Sequence, residues 1–135
     1  MDDSAEIRIA IDRDADIVTA RQCARDLAAQ VGFSGGDLTV IATAISEVSR
    51  NIVSYAKRGE IILRVAEESQ RRGIVIIARD DGPGIANIED AMRDGFSTGR
   101  SLGLGLPGAR RLMDDFAIAS AIGKGTTVTM KKWAR

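Results

Sequence analysis

Isoleucines alternate with polar or small residues near the start of the chain. Ile7, Ile9 and Ile11 fall on one side of residues 5–11 and Arg8 and Ala10 on the other, the period-two pattern of a half-buried strand. From about Asp14 the period lengthens: Ile17, Ala20, Ala24, Leu27, Ala28 and Val31 form one stripe of a helix that Gly32 ends. Ser34, with Asp37 three residues on, reads as the capped start of a second helix. In it Leu38, Ile41, Ile45, Val48, Ile52 and Tyr55 recur every three or four positions until Gly59. Two apolar runs, 60–65 and 73–79, flank the polar segment EESQRR and predict an antiparallel pair, the second strand central or buried on both faces. Pro107 suits the first turn of a third helix that continues through Leu112 and Met113. Residues 116–120 and 126–133 flank Gly123-Lys124-Gly125 as a last hairpin. Strand, two helices, hairpin, loop, helix, hairpin predicts an α/β (α+β) two-layer sandwich, with a mixed, largely antiparallel sheet and helices on one face.

Composition narrows the chemistry. A chain of 135 residues with 44% hydrophobic content suits one packed core, so residues 1–135 are expected to form a single domain. Nineteen Lys and Arg balance nineteen Asp and Glu, which removes the simplest argument for a nucleic-acid or anionic-membrane partner. The sequence contains no histidine, excluding Ser-His-Asp and Cys-His sites, histidine-ligated metals and phosphorylation of a histidine in this chain. Cys23 is the one cysteine, so neither an internal disulfide nor a Cys-rich zinc site is available. The acidic, alternating N-terminus is unlike a signal peptide, and no apolar run approaches the about 18 residues that span a bilayer. A cytoplasmic protein is the expectation.

Three clusters carry candidate chemistry. The segment Asp80 to Gly105 holds six glycines in 26 positions with few large apolar residues, apart from a short helix expected near residues 87–93. Such a connection reads as a lid or binding loop. Within it Gly103, Gly105 and Gly108 spell G-x-G-x-x-G. A Ser/Thr/Gly loop rather than a strand precedes them, and the position about 20 residues later is near Lys124, which rejects a dinucleotide fold. Residues 102–109 nonetheless suit an anion cradle, because bare glycine backbone and the start of a helix converge there. Gly123-Lys124 echoes a P-loop but has Ile118 where an upstream glycine is required. Asp80-Asp81-Gly82-Pro83-Gly84 ends an apolar strand, where an acid can accept from an exocyclic amine and glycines allow close approach. On the long helix Glu47 and Asn51 are four residues apart and share a face. An Asn carbonyl suits Mg²⁺, and a carboxylate one turn away can take a hydroxyl proton.

Taken in order, the Glu47/Asn51 helix, the Asp80-x-Gly82-x-Gly84 box, the box from Ser101 to Leu106 and the late Gly123-Lys124-Gly125-Thr126 resemble the N box and glycine boxes of the GHKL ATPases, the family with the Bergerat ATP-binding fold. Within that family ATAISEVSRNIVSYAKRGEI, RDDGPGI, DGFSTG, SLGLGLPGARRLMDDF and GKGTTVTMKKW look very like the switch serine/threonine kinases of bacterial stressosomes. The resemblance implies Glu47 as general base, Asn51 as Mg²⁺ ligand, and Asp80 holding the adenine amino group in a pocket shaped by Gly82 and Gly84. It further implies backbone contacts from Gly103, Leu104 and Gly105 to the phosphates, Thr126 supporting the adenine end, and an ATP lid over residues 92–102. Ser101 stands where the usual phosphate box has its first glycine.

The implied activity is phosphorylation of serine or threonine on STAS-domain scaffold and antagonist proteins with ATP and Mg²⁺, followed by activation of a downstream phosphatase or other regulator. Histidine kinases of the same family carry their acceptor on a separate segment, for which this chain is expected to have no room. The alternatives are an anti-sigma factor with serine kinase activity and a non-catalytic adaptor of the same fold. Neither nucleic acid nor membrane is an expected partner.

Overall fold

A computed structural model describes residues 6–85, 92 and 105–134. Its strands are β1 (Ile7–Ile11), β2 (Gly59–Glu68), β3 (Arg71–Asp80), β4 (Asp115–Ser120) and β5 (Thr126–Trp133). Its helices are α1 (Asp14–Val31), α2 (Gly36–Asn51) with a π turn (Ile52–Ala56) following directly, and α3 (Gly105–Leu112). The five strands form one sheet in the order β1-β2-β3-β5-β4. All four ladders are antiparallel, which narrows the expected mixed sheet to its antiparallel part among the described residues.

Strand alternation decides which side chains meet the helices. Ile9 opposes Ile61, which opposes Ala78, which opposes Val128; one row further, Leu63, Ile76 and Met130 line up. These rows form the core with Ala20, Ala24 and Ala28 of α1 and Ile41, Ile45 and Val48 of α2. β3 is the central strand, and its Ile74 and Ile76 are fully enclosed, each burial contributing about 1.5–3 kcal/mol. Helix α1 packs on β1, β2 and β3; α2 packs on α1 and β3; α3 packs on α2. The opposite sheet face carries charge: Glu60 pairs with Arg8 at 3.3 Å and with Arg79, and Arg71 lies 4.2 Å over the Trp133 ring.

Three local expectations change. The polar segment between β2 and β3 is mostly ladder, since Glu67 pairs in register with Arg72 and Glu68 with Arg71. Ion pairs of 3.1 and 3.3 Å reinforce it, and Ser69 and Gln70 alone make the turn, both at positive φ. Ser34 does not cap α2 with its side chain. The helix starts at Gly36 after Gly35, and the Ser34 carbonyl accepts the Asp37 N–H at 3.1 Å. The long helix changes pitch after Asn51, the Lys57 N–H reaching the Ile52 carbonyl at 2.8 Å.

Candidate functional site

The end of α2 and the end of β3 meet because Gly59 permits it. A Cβ on Gly59, the first residue of β2 and the partner of Asp80, would overlap the Arg79 carbonyl and meet Asp80 Cβ at 2.9 Å and Ile52 Cγ2 at 3.0 Å. Glycine there lets the π turn lie tight on the strand end. Single π turns inserted in α-helices often mark functional sites because they re-aim the residues around them. Here the turn follows Asn51, which is half-buried as the last residue of α2. One turn earlier Glu47 is 7% exposed, and its Oε1 accepts the Gly105 N–H at 3.0 Å, so the carboxylate sits at the N-terminus of α3. Negative charge is favoured at that end of a helix. Of the two side chains paired by helical spacing, Glu47 thus meets the last glycine of the expected phosphate box. Ser101, Gly103 and Leu104, the expected helix over 87–93 and the lid over 92–102 lie outside the described residues, Met92 excepted; Met92 is buried in the core cluster.

The other end of the site is built around Asp80, 8% exposed at the last position of β3. Its Oδ1 accepts the Gly82 N–H at 2.9 Å, and the backbone N–H of Thr126 also bonds to the carboxyl. Burial raises the Asp80 pKa above the ordinary carboxylate range, the two backbone donors oppose that, and Asp81 nearby adds to it. Thr126, 6% exposed, stands directly across from Asp80 in the β3–β5 ladder.

The loop after Asp80 is clamped on both sides. Gly82 presses on the π turn, where a Cβ would meet Ala56 Cα at 2.7 Å. Gly84, at φ +81°, lies on the Ala121 carbonyl, and the Pro83 carbonyl accepts the Gly123 N–H at 2.8 Å. Gly125, also at φ +81°, has its α-carbon against the Asp80 carbonyl. The Gly123-Lys124-Gly125 turn is therefore the wall beside Asp80 and belongs to no phosphate loop.

Ser120 belongs to none of the sequence motifs. Its Oγ accepts the Ile85 N–H at 2.7 Å and lies 2.9 Å from the Gly125 carbonyl and 2.7 Å from Thr126 Oγ1. A signal was available: alternation along residues 116–120 puts this serine on the same side as Phe116 and Ile118, a polar residue in an apolar row. The roles of Gly59 and Ala56 depend on elements far apart in the chain, so no local pattern carries them.

A two-layer sandwich with an acid at the end of its central strand and a carboxylate–amide pair on the helix above defines a nucleotide-binding domain of the GHKL kind. The family model described as histidine kinase-like ATPase domain matches residues 11–132, and the chain belongs to that family. It is 46% identical over 135 residues, the whole of both chains, to the serine/threonine-protein kinase RsbT of Bacillus subtilis. It is 34% identical over 121 residues to an anti-sigma F factor of Geobacillus thermodenitrificans, covering 84% of this chain and 81% of the relative. Among solved structures, a mycobacterial sensor histidine kinase, MprB, shares the fold with a TM-score of 0.57 at 16% identity, over 97% of this chain and 99% of that one. The full-length match makes this chain a protein serine/threonine kinase by class, and family membership implies that it uses ATP. No helix among the described residues is long and apolar enough to cross a membrane.

Proposed function

We propose that the chain uses Mg-ATP to phosphorylate a serine or threonine on STAS-domain scaffold and antagonist proteins of a stressosome-type complex, and that after release it engages a downstream phosphatase or other regulator in the cytoplasm. The observation that carries the catalytic part is the Glu47 carboxylate, held 3.0 Å from the Gly105 N–H one helical turn before Asn51. A proton acceptor and a hard oxygen ligand then flank the helix end at which anionic phosphate is favoured.

The residues present fit the nucleotide and the metal. Asp80 offers a buried acceptor, and Gly82, Gly84 and Gly125 let the chain around it pack more closely than a Cβ would allow, which holds that acceptor in place. No group of three or more acidic, Cys or His ligands occurs among the described residues, which suits Mg²⁺ held by one amide oxygen, phosphate oxygens and waters. ATP supplies the phosphoryl group. Glu47 would take the proton of the incoming hydroxyl, and Asn51 would offer its side-chain carbonyl to the metal. Asp80 accepts from the adenine amine with Thr126 beside it, which fixes the far end of the donor. Catalysis of this kind is mostly positioning and charge neutralisation, so a small scaffold suffices.

Transfer of label from radioactive ATP to a STAS-domain partner is expected, and Asn51→Ala and Glu47→Ala abolish it. Absence of transfer to every such partner rejects the kinase proposal. The resemblance to anti-sigma F factors supports a second reading, sequestration of a sigma subunit, which co-purification of a sigma factor rather than a STAS complex would favour.

A further inference from the structure

Ser120 has one hydrogen to give and meets three polar neighbours, so the direction of every bond around it follows from counting. The Ile85 backbone N–H, 2.7 Å away, can only donate. The Gly125 carbonyl, 2.9 Å away, can only accept, and it takes the serine hydrogen. In the remaining contact, 2.7 Å to Thr126 Oγ1, the donor must then be Thr126. Its hydroxyl hydrogen is committed to Ser120, and Thr126 has only lone pairs left for anything beside it.

We infer that Ser120 is a specificity-determining positioning residue: by holding the Thr126 hydroxyl as an acceptor next to the Asp80 carboxylate, it makes this end of the site select a 6-aminopurine over a 6-oxopurine. The inference rests on the reading of Asp80 and Thr126 as the adenine end. An exocyclic amine brings two N–H donors to two acceptors, whereas an oxo group sets lone pairs against lone pairs. Sites that leave buried polar groups unpaired with the wrong ligand discriminate far more strongly than apolar pockets do. The same arrangement keeps the Thr126 hydroxyl hydrogen away from the Asp80 carboxylate, which remains available to the amine. Ser120 does this while tying Ile85, at the far end of the Asp80 loop, to the β4–β5 turn, so hydroxyl orientation and loop position are set together.

Calorimetric titration with ADP and with inosine diphosphate tests the inference, because the two differ at the purine 6-position and in the proton on N1. The unaltered chain is expected to prefer ADP. Ser120→Ala frees the Thr126 hydroxyl to turn and donate, and the preference narrows by about tenfold, chiefly because inosine diphosphate binds better. Ser120→Thr restores the preference, and Thr126→Val in the Ser120→Ala background removes the gain for inosine diphosphate. Thermal melts establish that each variant is folded; should Ser120→Ala fail, Thr126→Val alone must weaken ADP without improving inosine diphosphate. Equal weakening of both nucleotides in Ser120→Ala, or an unchanged ratio, overturns the role of Ser120 while leaving the adenine assignment standing. An unaltered chain that binds neither nucleotide overturns the adenine assignment and the inference together.

Discussion

The two ends of the site are held by different kinds of structure. At the Asp80 end, backbone meets backbone: Gly84 lies on Ala121, Gly125 on Asp80, and Pro83 bonds Gly123, with the Ser120 hydroxyl as an added side-chain tie from Ile85 to the last hairpin. At the Glu47 end the described attachment is a side chain reaching a helix terminus, Glu47 to Gly105, across two elements 58 residues apart. Backbone contacts of the first kind have no rotamer freedom and hold one geometry. A carboxylate on a helix terminus can be exchanged for another anion at small cost, since such attractions are typically worth 0.3–1 kcal/mol at exposed helix ends and up to about 2 kcal/mol when partly buried. One end is thus suited to recognising a constant group, the other to accommodating groups whose charge changes during reaction.

The largest expected effect breaks the second end chemically without breaking it structurally. Glu47→Gln keeps an oxygen acceptor for Gly105 but cannot take a proton, so phosphoryl transfer is expected to fall by about 10²–10⁴-fold while ADP affinity and melting temperature stay near those of the parent. Glu47→Ala loses the acceptor as well and lowers the melting temperature. If Glu47→Gln transferred label at the parental rate, Glu47 would be a helix cap and not a base. The next effect lies at the rigid end. Gly125→Ala puts a Cβ into the Asp80 carbonyl at a positive φ, and a loss of about 2–4 kcal/mol in chemical denaturation is expected, with ADP binding lost alongside. A variant of parental stability would show that the rigid end yields after all.

The same division explains how much was legible in the sequence. Glu47 and Asn51 could be paired from spacing alone, because helical periodicity places i and i+4 together whatever surrounds them. The layer architecture and the central position of β3 followed from apolar runs, and the burial of Ile74, Val75, Ile76 and Ala78 agrees. Asp80, Gly82 and Gly84 stand out as an acid and glycines ending an apolar strand, and Thr126 through the family resemblance; their junction depends on register across β3 and β5, which no local pattern encodes. For the same reason Gly59 reads in sequence only as a helix end, and Ser120 only as a polar residue in an apolar row. The β2–β3 turn was misjudged for a different one: Ser69-Gln70 adopts positive φ without the Asn-Gly or Asp-Gly signature of such turns, and the paired Glu and Arg residues beside it look like a solvated connector.

A smaller effect concerns pH. Because burial lifts the Asp80 pKa, the stability contribution of this group is full below the unfolded carboxylate pKa and is lost as pH rises through the folded one; the ionised form, which the proposed base recognition uses, is held at a cost in stability. ADP affinity is therefore expected to weaken on acidification from a pH above the ordinary carboxylate range. Asp80→Asn binds more weakly at neutral pH and loses that part of the dependence, while titration of the ADP phosphates is common to both proteins and cancels in the comparison. Parallel pH profiles for the two proteins would remove Asp80 from the recognition of the base.

The smallest effect asks whether the rigid end is self-contained. Glu60 and Arg79 are paired across the β2–β3 ladder one position from the Gly59–Asp80 pair, so alternation puts them on the other face of the sheet. Glu60 bonds Arg8 and Arg79 there, with side chains 25%, 52% and 49% exposed. Ion pairs at such exposure are worth about 0–1 kcal/mol and are screened by salt. Glu60→Ala is expected to cost less than about 1 kcal/mol in urea, less still at high ionic strength, and to leave ADP affinity unchanged. The backbone contacts of Gly125 and Gly84 with their neighbours do not pass through this row, so its loss should not reach Asp80. A measurable fall in ADP affinity for Glu60→Ala would mean that β3 transmits strain from one face to the other, and that the geometry around Asp80 depends on the charged face as well as on the loops that clamp it.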